Sequence, residues 1–200
     1  MAESRPGVAK PRRVGGDGEP EIFCADEQSD IEIDLLRWQN LALQVLLAEG
    51  VRGAAEMTIV FVNQLSMSEL NEQYMGVSAP TDVLAFPLDA VDAARTPGPG
   101  SMSKGPSRVS LDINELPLLL GDVVICPSVA ADQASTHAGN LDDEIALLIV
   151  HGMLHVLGAD HETPDSTKAM RAREIALLET HHWEGPVPKN FRQDHVEVPE

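Results

Sequence analysis

The window His151-Gly-Met-Leu-His155-Val-Leu-Gly158-Ala-Asp160-His161 restricts this chain more than any other stretch. Residues 142–157 read as one apolar helix, so His151 and His155, four positions apart, lie one turn apart on one face. Gly158 follows, and a glycine there can adopt the left-handed conformation that ends a helix. The chain can then turn back and bring His161 to the same point from outside the helix. Three neutral imidazoles with a fourth position left for water is how a catalytic zinc site is built. A lone histidine on an apolar helix is ordinarily a core residue bonded to a carbonyl. The third histidine, with a glycine placed to permit the return, favours one zinc ion per chain held by His151, His155 and His161.

The rest of the chain is ordinary in size and unusual in charge. Its 200 residues, 43% of them hydrophobic and 23% charged, suffice for one domain with a real core. Asp and Glu number 32 against 14 Lys and Arg, a net charge of -18. Residues 21–164 hold 22 acidic and 5 basic side chains, so the negative field belongs to the middle and the ends are close to neutral. Such a surface repels an anionic polymer unless a local patch overrides it. Taken alone, that argues against a free-standing nucleic-acid binder: a polyanion would have to be held by a metal, by a local cleft, or through a basic protein partner. The longest aliphatic run, Ile145 to Val150, is far below the roughly 20 residues that span a bilayer. The first residues carry no apolar signal region, and Cys24 and Cys126 alone make no disulfide framework. A cytoplasmic location with no membrane association is expected.

Pro and Gly cluster in residues 1–20 and 97–106, both poor in large apolar side chains. The first is expected to be a disordered arm and the second part of a flexible loop over about 90–110. The functional domain is then 21–182, with a tail over 183–200. Within the domain the spacing predicts helices over 34–48, 66–74, 128–137, 142–157 and 166–182. Asp34 is placed to cap the first, and a Ser66–Glu69 capping box to open the second. Strands are predicted at 57–62, 81–86 and 121–126. The expected class is α/β (α+β), a single domain with a small mixed sheet and about five helices.

The frame H-x-x-x-H-x-x-G-x-x-H is shared with metzincin proteases, whose general base is a Glu directly after the first histidine. Here that position is Gly152, so a peptidase reading lacks its base. Three blocks instead resemble the YbeY proteins, bacterial endoribonucleases of ribosomal RNA maturation. They are HGMLHVLGADHE at 151–162, PTDVLAFP at 80–87 and GDVVICPSVA at 121–130, and the likeness covers about residues 30–180. The resemblance implies a zincin-like fold, with His151, His155 and His161 as zinc ligands. It also implies single-strand-directed RNA cleavage in rRNA processing, including small-subunit 3′-end maturation, with rRNA and the small ribosomal subunit as partners. Two positions depart from the pattern. Met75 follows Tyr74 where many members carry Arg, which removes a phosphate clamp. Asn140 stands where members often carry His, with His137 three residues earlier. The missing Arg leaves open a different reading, a ribosome-assembly factor whose zinc is structural. A metal-dependent hydrolase of another substrate is a third.

Other residues are weighed as follows. Asp160 can orient a ligand imidazole or shuttle a proton, or it can simply cap the turn after Gly158. Thr81 and Asp82 can face the cleft, although capping of the strand entry is the simpler account. Glu162 is expected to face solvent, His181 and His182 to sit at a helix C-terminus, His195 to be inert, and Cys126 to be a core thiol. Residues 116–120 (LPLLL) are expected to pack beside a strand. Lys10, Arg12 and Arg13 form the densest basic cluster, a solvated tail by default and a salt-sensitive RNA tether otherwise.

Overall fold

The computed structural model describes residues 19–88, 117–159 and 163–193, together with the main chain of 12–14. The expected loop over 90–110 lies outside the described residues, apart from which the chain runs β1 (Arg12–Val14), β2 (Glu21–Asp26), α1 (Leu35–Ala48), β3 (Ala55–Phe61), α2 (Gln64–Met75), β4 (Val83–Pro87), β5 (Leu118–Ile125), α3 (Pro127–Ala134), α4 (Leu141–Val156) and α5 (Pro164–His181). The five strands form one mixed sheet in the order β1-β2-β3-β5-β4. The pairs β2–β3 and β3–β5 are parallel, and the two edge pairs, β1–β2 and β4–β5, are antiparallel. Among the described residues this is the expected α/β class, with a mixed sheet and five helices.

Strand β3 alternates strictly, with Ala55, Met57, Ile59 and Phe61 buried and the residues between them half-exposed. That period of two places its buried set on one sheet face, against the helices. The other face is covered by α2, where Met67 packs with Val62, Leu84, Val124 and Cys126. Helix α4 is apolar nearly all round, and twelve of its sixteen residues are buried, so it must be the central helix. It packs on β4 and β5 and is flanked by α1, α3 and α5.

Most expected elements occur within one or two residues, and the differences have local causes. The cap of α2 is Asn63, whose side chain accepts the Ser66 N–H at 2.9 Å, so the helix starts three residues earlier than a Ser66 cap implies. Strand β5 begins at Leu118, so the apolar run 118–120 lies in the strand rather than beside it. An extra residue opposite Glu56/Met57 makes a bulge there, and at Gly121 (φ 150°) a Cβ would fall on the Phe86 carbonyl oxygen. Helix α3 stops at Ala134, three residues short of the expected end.

Two segments expected to lie outside the fold belong to it. Arg12–Val14, from the supposed arm, pair with Ile22–Cys24 as an edge strand. Residues 183–193, the start of the supposed tail, pack back on the body. Phe191 is buried in the core, with its ring 4.8 Å from that of Trp183. Trp183 Nε1 and His182 Nε2 donate to Asp143 Oδ1 at 2.7 and 2.8 Å, which ties the end of α5 to the start of α4. Among the described residues no helix is long and apolar enough to cross a membrane.

Candidate metal centre

The site lies at the C-terminal end of α4. Asn140 caps the start of the helix by accepting the Asp143 N–H at 2.9 Å, and Asp142, Asp143 and Glu144 fill the first turn, where the dipole favours acids. At the other end, Ala159 N–H donates to the Leu154 carbonyl and Gly158 N–H to that of His155, both at 2.9 Å. This crossed pair is the Schellman arrangement, and Gly158 takes the left-handed conformation it needs, with φ of +86°. The same turn places the Ala159 carbonyl 3.0 Å from His155 Nδ1.

That contact fixes the chemistry of His155. A carbonyl only accepts, so Nδ1 carries the proton and Nε2 of the neutral ring carries a lone pair. His151 is held in the same way from a different element. Its Nδ1 lies 2.7 Å from Oε1 of Glu174 on α5 and donates to it, which leaves Nε2 as the nitrogen of the neutral ring that can bind a metal. The two Nε2 atoms face each other at 3.1 Å. Two lone pairs at that separation repel unless a proton or a cation lies between them. Two ligands about 2.0–2.1 Å from a common tetrahedral ion are about 3.3 Å apart, close to what is seen. Both outer nitrogens are already bonded to a carboxylate or a carbonyl, as in histidine metal sites generally. The pair therefore fits two positions of a metal centre. Asp160, His161 and Glu162 lie outside the described residues, and among the described residues no group of three metal-binding side chains forms.

Glu174 is the functional residue that sequence reasoning missed. It is 3% exposed and lies on the buried stripe Met170, Glu174, Leu177 and Leu178 of α5. A carboxylate at a core position of an amphipathic pattern is the signal that marks it, since an unpaired buried charge is costly. Its second oxygen, Oε2, accepts from Gln193 Nε2 at 2.7 Å.

Two cavities meet at His151. One, of about 290 Å³, is bounded by Asp82, His137, Thr167, Arg171, Glu174 and Gln193 among others. The other, of about 310 Å³, runs past His155 and Gly152 to Met75, Ala85 and Pro87. Asp82 Oδ1 accepts from Val83 N–H and Thr81 Oγ1, so it does cap the strand entry while lining the first cavity. His137, 4% exposed, hydrogen-bonds Glu144 Oε1 at 2.8 Å. Burial pulls the His137 pKa down, but the hydrogen bond and charge of Glu144, the Gln193 main chain and the charge of Asp82 outweigh it and raise the pKa. His182 bonds to Asp143 and serves the fold, and Cys126 is a buried thiol at the start of α3. Burial raises the Cys24 thiol to about 12, which makes it inert.

Residues 23–182 match the family described as Endoribonuclease YbeY. The chain belongs to the YbeY family. Endoribonuclease YbeY of Salinispora tropica is 40% identical over 151 residues, 76% of this chain and 90% of that protein. Its counterpart in Acidothermus cellulolyticus is 40% identical over 152 residues, covering 76% and 85%, and that of Mycolicibacterium paratuberculosis is 35% identical over 167 residues, covering 84% and 86%. The solution structure of TM1509 from Thermotoga maritima shares the fold, with a TM-score of 0.51 and 22% identity over 82% of this chain and 90% of that one.

The two positions that depart from the YbeY pattern, Asn140 and Met75, and Gly152, which departs from the metzincin frame, can now be placed. Asn140 is the helix cap, and His137 sits behind it on Glu144. Met75 is 56% exposed on the rim of the second cavity and supplies no charge there. Gly152 faces the sheet: a Cβ would lie 2.6 Å from Cγ1 of Val123 and 3.3 Å from Cγ2 of Val83. The residue after the first histidine is small because β5 is there.

The His137–Glu144 pair gives a prediction for the metal-free protein. A raised histidine pKa contributes stability below the unfolded value of about 6.5, and that contribution is lost as pH rises through the folded pKa. Melting temperature should therefore fall as pH rises above about 6.5. The decline should be absent in His137→Gln, and equal slopes for the two proteins would refute the assignment.

Proposed function

We propose that this chain is a zinc-dependent, single-strand-directed endoribonuclease that acts in rRNA processing, including small-subunit 3′-end maturation. The observation that carries the proposal is the pair of Nε2 atoms 3.1 Å apart, each ring bonded from behind through Nδ1. His151 and His155 would hold the metal, with His161 as the third ligand. The chemistry a bound zinc supplies is Lewis acidity toward a phosphoryl oxygen and acidification of water near neutral pH. Glu174 keeps a proton on His151 Nδ1, and the Ala159 carbonyl keeps one on His155 Nδ1, so each ring is held with its Nε2 toward the other. Gly152 carries no base, so a carboxylate from the return segment, Asp160, is the candidate to orient a ligand or move a proton. A scissile phosphodiester would lie where the two cavities meet, with the flanking nucleotides along them.

A net charge of -18 sets how such an enzyme meets RNA. Bulk electrostatics oppose approach of a polyanion, and no Arg stands at position 75 to offset this. The reading is therefore that the substrate is met on the small ribosomal subunit, with a basic ribosomal protein against the acidic surface, in the cytoplasm. Cleavage of precursor rRNA in small-subunit particles should exceed cleavage of the same naked RNA by at least about tenfold at physiological salt, where acidic surfaces and basic partners still attract. Equal rates on both substrates would remove the docking reading. Failure on both would remove the endoribonuclease reading.

A further inference from the structure

The segment after α5 lies beyond the span that matches the family, yet its last described residue reaches the centre. Gln193 Nε2 donates to Glu174 Oε2 at 2.7 Å and to the Arg171 carbonyl at 3.0 Å. Both partners are acceptors, so the amide orientation is fixed by chemistry: the nitrogen must face them. Three contacts anchor the segment. Phe191 is buried in the core, Val187 N–H donates to Glu179 Oε1 at 3.3 Å, and Arg192 N–H donates to the His137 carbonyl at 3.0 Å. Asn190 packs against Gly139, where a Cβ would collide with its side chain. This is a built support on a rigid scaffold.

A carboxylate held at one oxygen only can rotate about its terminal torsion, a broad and soft one. Glu174 is held at both: Gln193 takes Oε2 and His151 Nδ1 takes Oε1. We propose that Gln193 is a positioning residue for His151, acting through Glu174, so that the segment 183–193 completes the centre. Its amide fixes the Glu174 carboxylate plane, which fixes the protonated nitrogen of His151 and aims Nε2 at His155. This rests on the reading of His151 as a metal ligand, but its structural part can be tested without metal.

The test uses the full-length chain with Gln193→Leu, which keeps the bulk and removes the donor, and Gln193→Lys, which restores a donor. In metal-free protein at pH 8, the nitrogen shifts of His151 should report a Nδ1–H tautomer in the wild type and in the Lys variant, and a mixture in the Leu variant. Zinc affinity, measured by competition with a chromophoric chelator, should fall about tenfold in Gln193→Leu, the low end for loss of an outer hydrogen bond, and recover in Gln193→Lys. A Leu variant with the wild-type tautomer and zinc affinity within twofold overturns the proposal. So does a Lys variant as impaired as Leu, since the segment would then act through packing alone. If wild-type protein binds no zinc, the metal reading falls, and the tautomer measurement alone decides the role of Gln193.

Discussion

Replacement of His155 by alanine is expected to lower zinc affinity by more than about 100-fold, the upper end of the loss seen when only an outer hydrogen bond to a ligand is removed. RNA cleavage should fall to background with it. The fold should survive. His155 lies in the last turn of α4 and is only partly buried, and alanine is the best helix former. Metal analysis, calorimetry of the metal-free proteins and a cleavage assay on single-stranded RNA measure the three effects. Cleavage that persists in a metal-free His155→Ala protein would exclude a metal-dependent mechanism at this site.

Gly152→Val is expected to have the largest effect on stability. The helix approaches the sheet so closely at this residue that even one methyl meets Val123 at 2.6 Å, and both Val123 and Val83 are short, stiff strand residues. Overpacking of this kind costs about 1–3 kcal/mol for a single methylene group or so, and valine adds three carbons. Glycine to alanine would regain about 1 kcal/mol from helix propensity, which valine largely forgoes. A loss of about 3 kcal/mol corresponds to a fall of about 6–12 °C in melting temperature for a chain of this size. Relief of the clash by moving α4 outward would also displace His151 and His155 from β4 and from Glu174, so zinc affinity should fall with stability. Glutamate at 152 would meet the same wall, which is why the metzincin type of base cannot be restored here by substitution. An unchanged melting temperature in Gly152→Val would show that α4 is not seated as described.

Where local chemistry decides the structure, the chain could be read directly. The long helix was expected at 142–157 and runs Leu141–Val156, because an all-round apolar pattern ended by Gly158 has few other solutions. Asp34 caps α1 through the Arg37 N–H, as its position before the apolar stripe implied. Strand β2 was missed: EIFCAD is short, begins and ends with an acid, and does not alternate until its neighbours bury it. Arg12–Val14 carry no strand pattern and are ordered by the edge they join.

The sequence alone determined that two imidazoles share a helix face and that the helix must end before Gly158, three residues after the second, since a 3.6-residue repeat and one left-handed glycine are properties of contiguous residues. The Ala159 carbonyl of the local turn orients His155, but only the tertiary structure decided which nitrogen of His151 points inward. That choice is made by Glu174, 23 residues beyond His151, and by Gln193, 19 residues further on. No periodicity links these residues to the histidines. Their meeting depends on how α5 crosses α4 and how the chain folds back after it, which is set by the burial of Met170, Leu177, Leu178 and Phe191 rather than by any local pattern.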